Sequence, residues 1–241
     1  YHIDTLSCNL ANKVILDTDA HIDYFVNTFN LPKNKFQRIF VGANEEMFYP
    51  RCVEKNSESF IVFYYGTFLP LQGIEYIIEA AKSLEKEDDI KFIVVGSGME
   101  KDKIIKLSNK LEVENVDFID WIPYHDLPFK IAEADICLGG HFSNTDKAKR
   151  VIAGKTFQFI SMKKPVIVGD NPANRELFEH KKNAFFVEMG NAEALAEAIL
   201  FLKNDDELRT EIAINANNTF RNVCKGISYD LNNSIKNINE I

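Results

Sequence analysis

The stretch that decides the fold is RVIAGKTFQFISMKKPVIVG, residues 150–169. Its first half has the spacing of a short amphipathic helix, and the run PVIVG has the near-continuous apolar character of a strand that is buried on both faces. A helix followed at once by such a strand is typical of a crossover unit in a parallel sheet. We therefore predict a helix that begins near Lys155 and whose N-terminus faces a ligand at the strand ends.

The same alternation of apolar runs and helical segments continues on both sides of this stretch. It predicts six parallel strands joined by right-handed crossover helices: FIVFYY (60–65), KFIVV (91–95), VDFID (116–120), DICLG (135–139), PVIVG (165–169) and AFFVE (184–188). The predicted fold class is α/β, with a Rossmann-like doubly wound parallel sheet. After Asp205 the spacing predicts two consecutive C-terminal helices, one with Leu208, Ile212, Ala216 and Phe220 on its apolar stripe and one with Ile227, Leu231, Ile235 and Ile238.

The first 50 residues follow a different pattern. The runs KVILD (13–17) and QRIFVG (37–42) flank the helical segment HIDYFVNTF (21–29), which predicts a short βαβ piece without a sheet of its own. Such a piece needs a partner, either the main domain or residues upstream. The chain begins without Met in a helical pattern, so we expect residues upstream of Tyr1. NEEMFYP is interpreted as an extended linker, with the domain boundary between Pro50 and Ser57.

Composition and charge restrict the class of protein. The 28 basic and 36 acidic residues give a net charge of −8, which argues against nucleic acid as a partner because phosphate binding needs clustered Lys and Arg. No apolar run approaches the roughly 20 residues that cross a bilayer, and no signal peptide is evident. The four cysteines are too widely spaced for a zinc site or a small disulfide scaffold, so free thiols and a cytoplasmic location are expected.

Glycines follow two of the predicted strands. Gly66 comes directly after the first strand, where backbone can approach a ligand closely, and Gly96 and Gly98 come after the second, where helix N–H groups favour an anion. Either loop is also compatible with an ordinary tight turn. The second departs from the dinucleotide-binding pattern G-x-G-x-x-G because Lys101 occupies the third glycine position, which disfavours NAD.

Two further strand ends carry unusual residues. Trp121, the only tryptophan, precedes a rigid loop at Pro123, so it is either a core residue or, with Ile122, the wall of a slot for a planar base. The loop after the fourth strand carries a cluster of cations in an acidic protein. With the residues that open the next helix, the cluster forms a candidate diphosphate cradle; its members are Lys147, Lys149, Arg150, Lys155 and Thr156. A solvated loop is the alternative interpretation. His141, in the same loop, is the one histidine that we expect near the reacting groups.

Four segments together resemble a known family in their order and spacing. They are GTFLPLQGIEYIIEAA (66–81), KFIVVGSGMEKDKI (91–104), VDFIDWIPYHDLPFKIAEADICLG (116–139) and GKTFQFISMKKPVIVGDNPANREL (154–177). They resemble the donor-binding C-terminal domain of GT-B fold glycosyltransferases, above all glycosyltransferase family 4 (glycosyl transferases group 1). The resemblance implies that residues 1–50 are a remnant of the N-terminal acceptor domain with the interdomain linker, that residues 51–226 bind the donor, and that residues 227–241 cross back to the acceptor domain.

The resemblance also implies a set of donor contacts. Gly66, Thr67 and Gln72 match the loop that binds the donor phosphates, with Gln72 in place of the usual lysine. The family's paired acids, separated by seven residues, align with Arg150 and Gln158, so both acids are absent. The Gln158 amide is expected to hydrogen-bond the ribose in place of the second acid, and Arg150 to take a phosphate.

The function implied by the resemblance is that of a retaining glycosyltransferase in carbohydrate biosynthesis. A nucleotide diphosphate sugar, such as a UDP sugar, would be the donor substrate, and Lys149, Arg150 and Lys155 would stabilise the leaving diphosphate. No metal or other cofactor is expected. The acceptor would be a saccharide or a lipid-linked saccharide, so peripheral attachment to a membrane stays open. A catalytically silent nucleotide-sugar-binding or scaffold module and a sugar-nucleotide 2-epimerase are the alternatives.

Overall fold

The fold is built around a six-stranded parallel sheet. The computed structural model describes the backbone of residues 2–53 and 58–239, and the side chains of these residues up to Ile227. The strands are β3 (Phe60–Tyr65), β4 (Ile90–Val95), β5 (Val116–Ile119), β6 (Ile136–Leu138), β7 (Val166–Gly169) and β8 (Phe185–Val187). Their order is β5-β4-β3-β6-β7-β8. This order confirms the predicted doubly wound α/β class and places the switch point between β3 and β6.

Helices cover both faces of the sheet. One face is covered by α3 (Ile74–Ser83), α4 (Lys101–Leu111) and α8 (Ala192–Asn204), and the other by α5 (Leu127–Glu133), α6 (Gly154–Ser161) and most of α9 (Asp206–Asn239). The short helix α7 (Pro172–Arg175) follows β7. Alternate side chains of β3 enter the two cores. Val62 and Tyr64 lie in the core beneath α3, α4 and α8, and Ile61 and Phe63 lie in the core beneath α5, α6 and α9. The continuous apolar character of the strand therefore results from burial on both faces.

The C-terminal part forms one helix where the sequence predicts two. Helix α9 runs without interruption over 34 residues, because the segment contains no proline and a glycine inside a helix costs only about 1 kcal/mol relative to alanine. Ile227, the first member of the second predicted stripe, packs against the second core and lies beside Gly42. The side chains of Leu231, Ile235 and Ile238 lie outside the described residues.

The N-terminal unit has a small sheet and core of its own. It comprises α1 (His2–Leu10), β1 (Val14–Leu16), α2 (Asp19–Phe29) and β2 (Phe36–Arg38). The strands β1 and β2 pair in parallel, which corrects the expectation of a piece without a sheet. The pairing follows from the βαβ connection, because the crossover helix returns the chain beside the first strand. Cys8, Ile22, Leu31 and Phe36 form the core beneath α2.

The N-terminal unit contacts the main domain through the first turn of α2. Thr18 caps α2 by accepting a hydrogen bond from the His21 amide (3.0 Å), and its hydroxyl donates to the Arg150 carbonyl (2.5 Å). The Glu176 carboxylate accepts hydrogen bonds from the Asp19 and Ala20 amides, each at 2.8 Å. A carboxylate at a helix N-terminus satisfies free N–H groups and interacts favourably with the helix dipole. The main domain is therefore one partner of this unit.

We expect Glu176→Gln to weaken this contact by about 1 kcal/mol, because an amide offers one acceptor oxygen and no charge to the two N–H groups. Amide hydrogen exchange should quicken at Asp19 and Ala20, and the free energy of unfolding should fall. The control is Glu179→Gln, since Glu179 is an exposed acid that forms a salt bridge with Lys182. Equal protection of Asp19 in wild type and Glu176→Gln would contradict the assignment.

Helix length also bears on membrane insertion. Within residues 2–53 and 58–239, none of the helices combines the length and the apolar character that crossing a bilayer requires.

Candidate functional site

A cavity of about 370 Å³ opens at the carboxyl ends of β3, β4 and β5, beside the switch point of the sheet. Ligands of doubly wound sheets bind at this edge, where the strand order reverses. The cavity is lined by Tyr65, Gly66, Thr67, Val95, Gly96, Ser97, Asp120, Trp121, Ile122, Tyr124 and Leu127. Backbone groups of two glycine loops and the side chains after β5 thus face a common space.

Five of the residues predicted from the sequence meet in this cavity: Gly66, Thr67, Gly96, Trp121 and Ile122. The two glycine loops touch each other at its base. A Cβ atom on Gly96 would overlap the carbonyl oxygen of Gly66, and Gly96 has a φ of 141°, which side-chain-bearing residues rarely adopt. Gly96 is therefore required for the two loops to close the cavity floor.

Trp121 stands on the cavity wall with 73% of its surface exposed. Of the two interpretations that the sequence left open, burial in the core is therefore wrong. The exposed indole offers a flat apolar face beside a cavity, which is compatible with stacking on a planar base. Gly98 packs closely against Phe68, since a Cβ atom there would be 2.6 Å from the Phe68 carbonyl oxygen, and it does not line the cavity.

Lys155 holds a buried ammonium group at the switch point. Its side chain is 7% exposed, and its Nζ donates a hydrogen bond to Gln72 Oε1 (2.8 Å) and lies 3.7 Å from the centroid of the Tyr64 ring. The same Nζ lies beside Gly66, 3.3 Å from where a Cβ atom of that glycine would be. Lys155 forms no ion pair with any residue that the structure describes, and burial lowers its pKa well below the ordinary value.

Two more buried polar groups adjoin this ammonium. The Tyr64 hydroxyl has no hydrogen-bond partner in the described part of the chain, and burial, followed by the charge of Glu75, raises its pKa. His141 is also buried, and its Nδ1 lacks a partner within the described ranges. Burial, together with the charges of Lys155 and Lys147, lowers the pKa of His141 to about 3. His141 is therefore neutral at pH 7 and adds no positive charge beside Lys155.

The two other predicted residues of α6 differ in their surroundings. Thr156 is fully buried, and its hydroxyl donates to the Gly139 carbonyl (3.2 Å), so its side chain fastens α6 to the end of β6 and presents no surface to a ligand. Gln158 donates from Nε2 to the Tyr124 hydroxyl (3.2 Å), and its Oε1 has no partner in the regions the structure covers. Gln158 thus keeps an unfilled acceptor.

Arg150 lies at the contact with the N-terminal unit, and Lys149 precedes it in the chain. The Arg150 guanidinium stacks on the Tyr24 ring of α2, with its Cζ 3.6 Å from the ring centroid, and donates to the Asp146 carbonyl (3.2 Å). Lys149 pairs with the Asp146 carboxylate at 3.8 Å. These contacts differ from those of Lys155, whose Nζ binds Gln72. A joint cradle of Lys149, Arg150 and Lys155 around a diphosphate stays a prediction.

Sequence analysis did not single out Tyr64 and Tyr124. Tyr64 ends an apolar strand, and nothing local marks it as the ring beneath Lys155. Tyr124 had a usable signal, because it follows Pro123 in the same strand-end loop as Trp121. The pairing of Gln72 with Lys155 spans 83 positions of the sequence and had no signal in either segment.

A family model described as Glycosyl transferases group 1 matches residues 48–219. An uncharacterized glycosyltransferase of Haemophilus influenzae is 24% identical over 212 residues, which are 86% of this chain and 56% of that protein. The poly(ribitol-phosphate) alpha-N-acetylglucosaminyltransferase of Staphylococcus aureus is 27% identical over 220 residues, which are 87% of this chain and 40% of that enzyme. The chain thus spans about half the length of these curated relatives.

Solved structures share the fold. Sucrose-phosphate synthase of Thermosynechococcus elongatus superimposes with a TM-score of 0.84 at 18% identity, over 98% of this chain and 61% of that one. Anabaena Alr3699/HepE, in complex with UDP, superimposes with a TM-score of 0.78 at 20% identity, over 95% of this chain and 65% of that one. At these identities, the likeness demonstrates a common fold.

Proposed function

Because this chain belongs to the glycosyl transferases group 1 family, we propose that it forms the donor-binding part of a retaining glycosyltransferase. The whole protein would transfer a sugar from a nucleotide diphosphate sugar to an acceptor hydroxyl. The donor would occupy the cavity at the carboxyl ends of β3, β4 and β5, with its diphosphate at the switch point. No cofactor beyond the donor substrate is part of this proposal.

The observation that carries the proposal is the buried ammonium of Lys155. A charge removed from water is costly unless a group of opposite charge compensates it. The Lys155 ammonium contacts an amide oxygen and an aromatic ring, and it contacts no carboxylate among the described residues. A diphosphate beside Gly66 would provide the missing negative charge. In the transfer step, the same ammonium would stabilise the charge that develops on the leaving diphosphate.

The rest of the site supports a nucleotide as the carrier of that diphosphate. The cavity of about 370 Å³ extends from Gly66 to the exposed Trp121, so a base could stack on the indole while the phosphates reach the glycine loop. The UDP named with the Anabaena structure makes UDP the first nucleotide to examine. Retention at the anomeric carbon rests on the resemblance, and the anomeric configuration of the transferred sugar would test it.

Titration calorimetry of the chain with UDP, GDP and ADP tests the proposed function. We expect micromolar binding of one nucleotide. Failure of all three to bind a chain that melts cooperatively would overturn the donor-site assignment. Binding of a nucleotide without any transfer by the whole protein would favour a silent binding module, for which the replacements at Gln72, Arg150 and Gln158 argue.

We expect Trp121→Ala to weaken nucleoside diphosphate binding about 10-fold, because stacking of a base on an aromatic ring contributes roughly 1–3 kcal/mol. Binding of inorganic pyrophosphate, which has no base, should not change. Phe201→Ala is the matched control, since Phe201 is an exposed aromatic residue on α8 that does not line the cavity. Equal losses for pyrophosphate and nucleotide would show that Trp121 acts on the loop and not on the base.

The acceptor side completes the proposal. A saccharide or lipid-linked saccharide would bind to a further domain, which the length of the curated relatives allows for. The role of Lys149 and Arg150 toward the diphosphate is part of the same proposal. The place of Arg150 at the contact between α2 and the main domain would let it respond to the position of that further domain.

A further inference from the structure

A second cavity, of about 460 Å³, adjoins the first one. Tyr124 lines both cavities and forms the wall between them. On its far side the second cavity is bounded by residues 41–45, which lead into the linker, and by Gln158 of α6 and Cys224 of α9. Among the described residues, no lysine or arginine belongs to this lining, and its polar side chains are Asn44, Glu45, Tyr124, Gln158 and Cys224.

Gln158, which lines this cavity, has an unfilled acceptor. Its Nε2 donates a hydrogen bond to the Tyr124 hydroxyl, whereas its Oε1 is shielded from solvent and has no partner among the residues described. A shielded carbonyl oxygen without a donor is destabilising. Gln158 follows Lys155 by three positions on α6, so the two side chains lie on the same face of the helix. A ligand whose diphosphate reaches Lys155 would therefore bring its next group to Gln158.

Glu45 brings a carboxylate to the same cavity. The linker turns here, because the amides of Met47 and Phe48 both donate to the Asn44 carbonyl, at 3.2 and 2.8 Å. The carboxylate accepts a hydrogen bond from the Cys224 thiol, and burial, followed by the charge of Glu45 and this hydrogen bond, raises the pKa of Cys224 to about 11. A thiol is a weak donor, and a carboxylate offers about four acceptor positions. Glu45 thus retains capacity for stronger donors.

We propose that Glu45 and Gln158 together bind the ribose 2′- and 3′-hydroxyls of the nucleotide, with the linker carboxylate supplying the acid that α6 lacks. A vicinal diol carries two O–H donors, which match one carboxylate and one amide oxygen. This inference rests on the proposed nucleotide site. The base would lie against Trp121, the ribose beside Tyr124, and the diphosphate at Lys155. Linker and donor-binding domain would then share one ligand.

The test compares Glu45→Gln with the neighbouring Glu46→Gln by titration calorimetry. Glu46 is the matched control because it is an exposed acid on the same turn that does not line the cavity. The probes are UDP, 2′,3′-dideoxy-UDP and inorganic pyrophosphate. We expect Glu45→Gln to bind UDP about 10-fold more weakly than wild type, as loss of a charged hydrogen-bond acceptor predicts, while Glu46→Gln is unchanged. For the dideoxy nucleotide and pyrophosphate, wild type and Glu45→Gln should be equal.

Two results would overturn the inference while the proposed function stands. One is unchanged UDP binding by Glu45→Gln. The other is an equal loss for UDP and the dideoxy nucleotide, which would place the carboxylate away from the ribose. If wild type binds GDP or ADP but not UDP, the same comparison is made with the nucleotide that binds and its dideoxy form. Absence of binding by all three refutes the nucleotide site itself. Thermal melting confirms that each variant folds, as expected for an exposed position.

Discussion

Gly96→Ala is expected to lower the free energy of unfolding by about 4 kcal/mol or more, the largest effect that any single methyl group would have at the site. The added Cβ would overlap the backbone carbonyl of Gly66, and a backbone atom cannot move aside as a side chain can. In addition, the φ of 141° at Gly96 is unfavourable for alanine. The ends of β3 and β4 would have to separate, which would open the cavity floor.

Thermal unfolding measures this effect. For a chain of this size, the expected loss corresponds to a decrease in melting temperature of roughly 10 °C or more. The control is Gly226→Ala in α9, where an added Cβ meets nothing within 4 Å. That substitution should leave stability unchanged or raise it by up to about 1 kcal/mol, because alanine favours a helix interior. A Gly96→Ala variant as stable as wild type would refute the tight contact between the two loops.

Lys155→Met is expected to separate ligand binding from stability. Binding of the nucleoside diphosphate should weaken at least about 100-fold, or roughly 3 kcal/mol, because the substitution removes the proposed buried partner of the diphosphate. The free protein should remain as stable as wild type, or become more so, since the variant no longer buries an ammonium without a carboxylate. Calorimetry and thermal melting of the same preparation measure both quantities.

The pH dependence of stability follows from the same residue. Burial lowers the pKa of Lys155 in the folded chain below its ordinary value of 10.5. Between the lowered value and 10.5 the unfolded chain binds a proton that the folded chain does not, so wild-type stability rises with pH across this window. Lys155→Met lacks this contribution, so the free energy of unfolding of wild type should increase relative to that of the variant as pH increases. A diphosphate favours the charged lysine, so its binding should raise the pKa of Lys155 towards the ordinary value, and nucleotide affinity measured by calorimetry over a series of pH values should reveal this coupling.

The matched control for Lys155 is Lys106→Met, on the exposed face of α4. It should change neither nucleotide affinity nor the pH dependence of stability. If Lys155→Met kept nucleotide affinity, the buried ammonium would not be the diphosphate partner. If the variant lost both binding and stability, Lys155 would be chiefly a structural residue that holds Gln72 and Tyr64 together.

Several elements of the site were predictable because their signals are local. Gly66 and Gly96 follow apolar strands directly, and a parallel sheet brings the ends of its strands to one edge, so their meeting followed from the pattern. Trp121 was ambiguous, since an aromatic residue after a strand fits a core as well as a cavity wall. The side-chain environment of Thr156 could not be predicted, because it depends on the distance between α6 and the end of β6.

The sequence by itself determined the six strands, the helices between them, the doubly wound class and the membership of the family, because apolar periodicity and glycine positions act within a few residues. It also determined that the paired acids expected near α6 are absent. Only the tertiary structure decided that Lys155 meets Gln72, that Arg150 stacks on Tyr24, and that Glu45 and Gln158 line one cavity. These contacts join distant segments, and they depend on strand order and on the packing of the linker and helices, which local sequence does not specify.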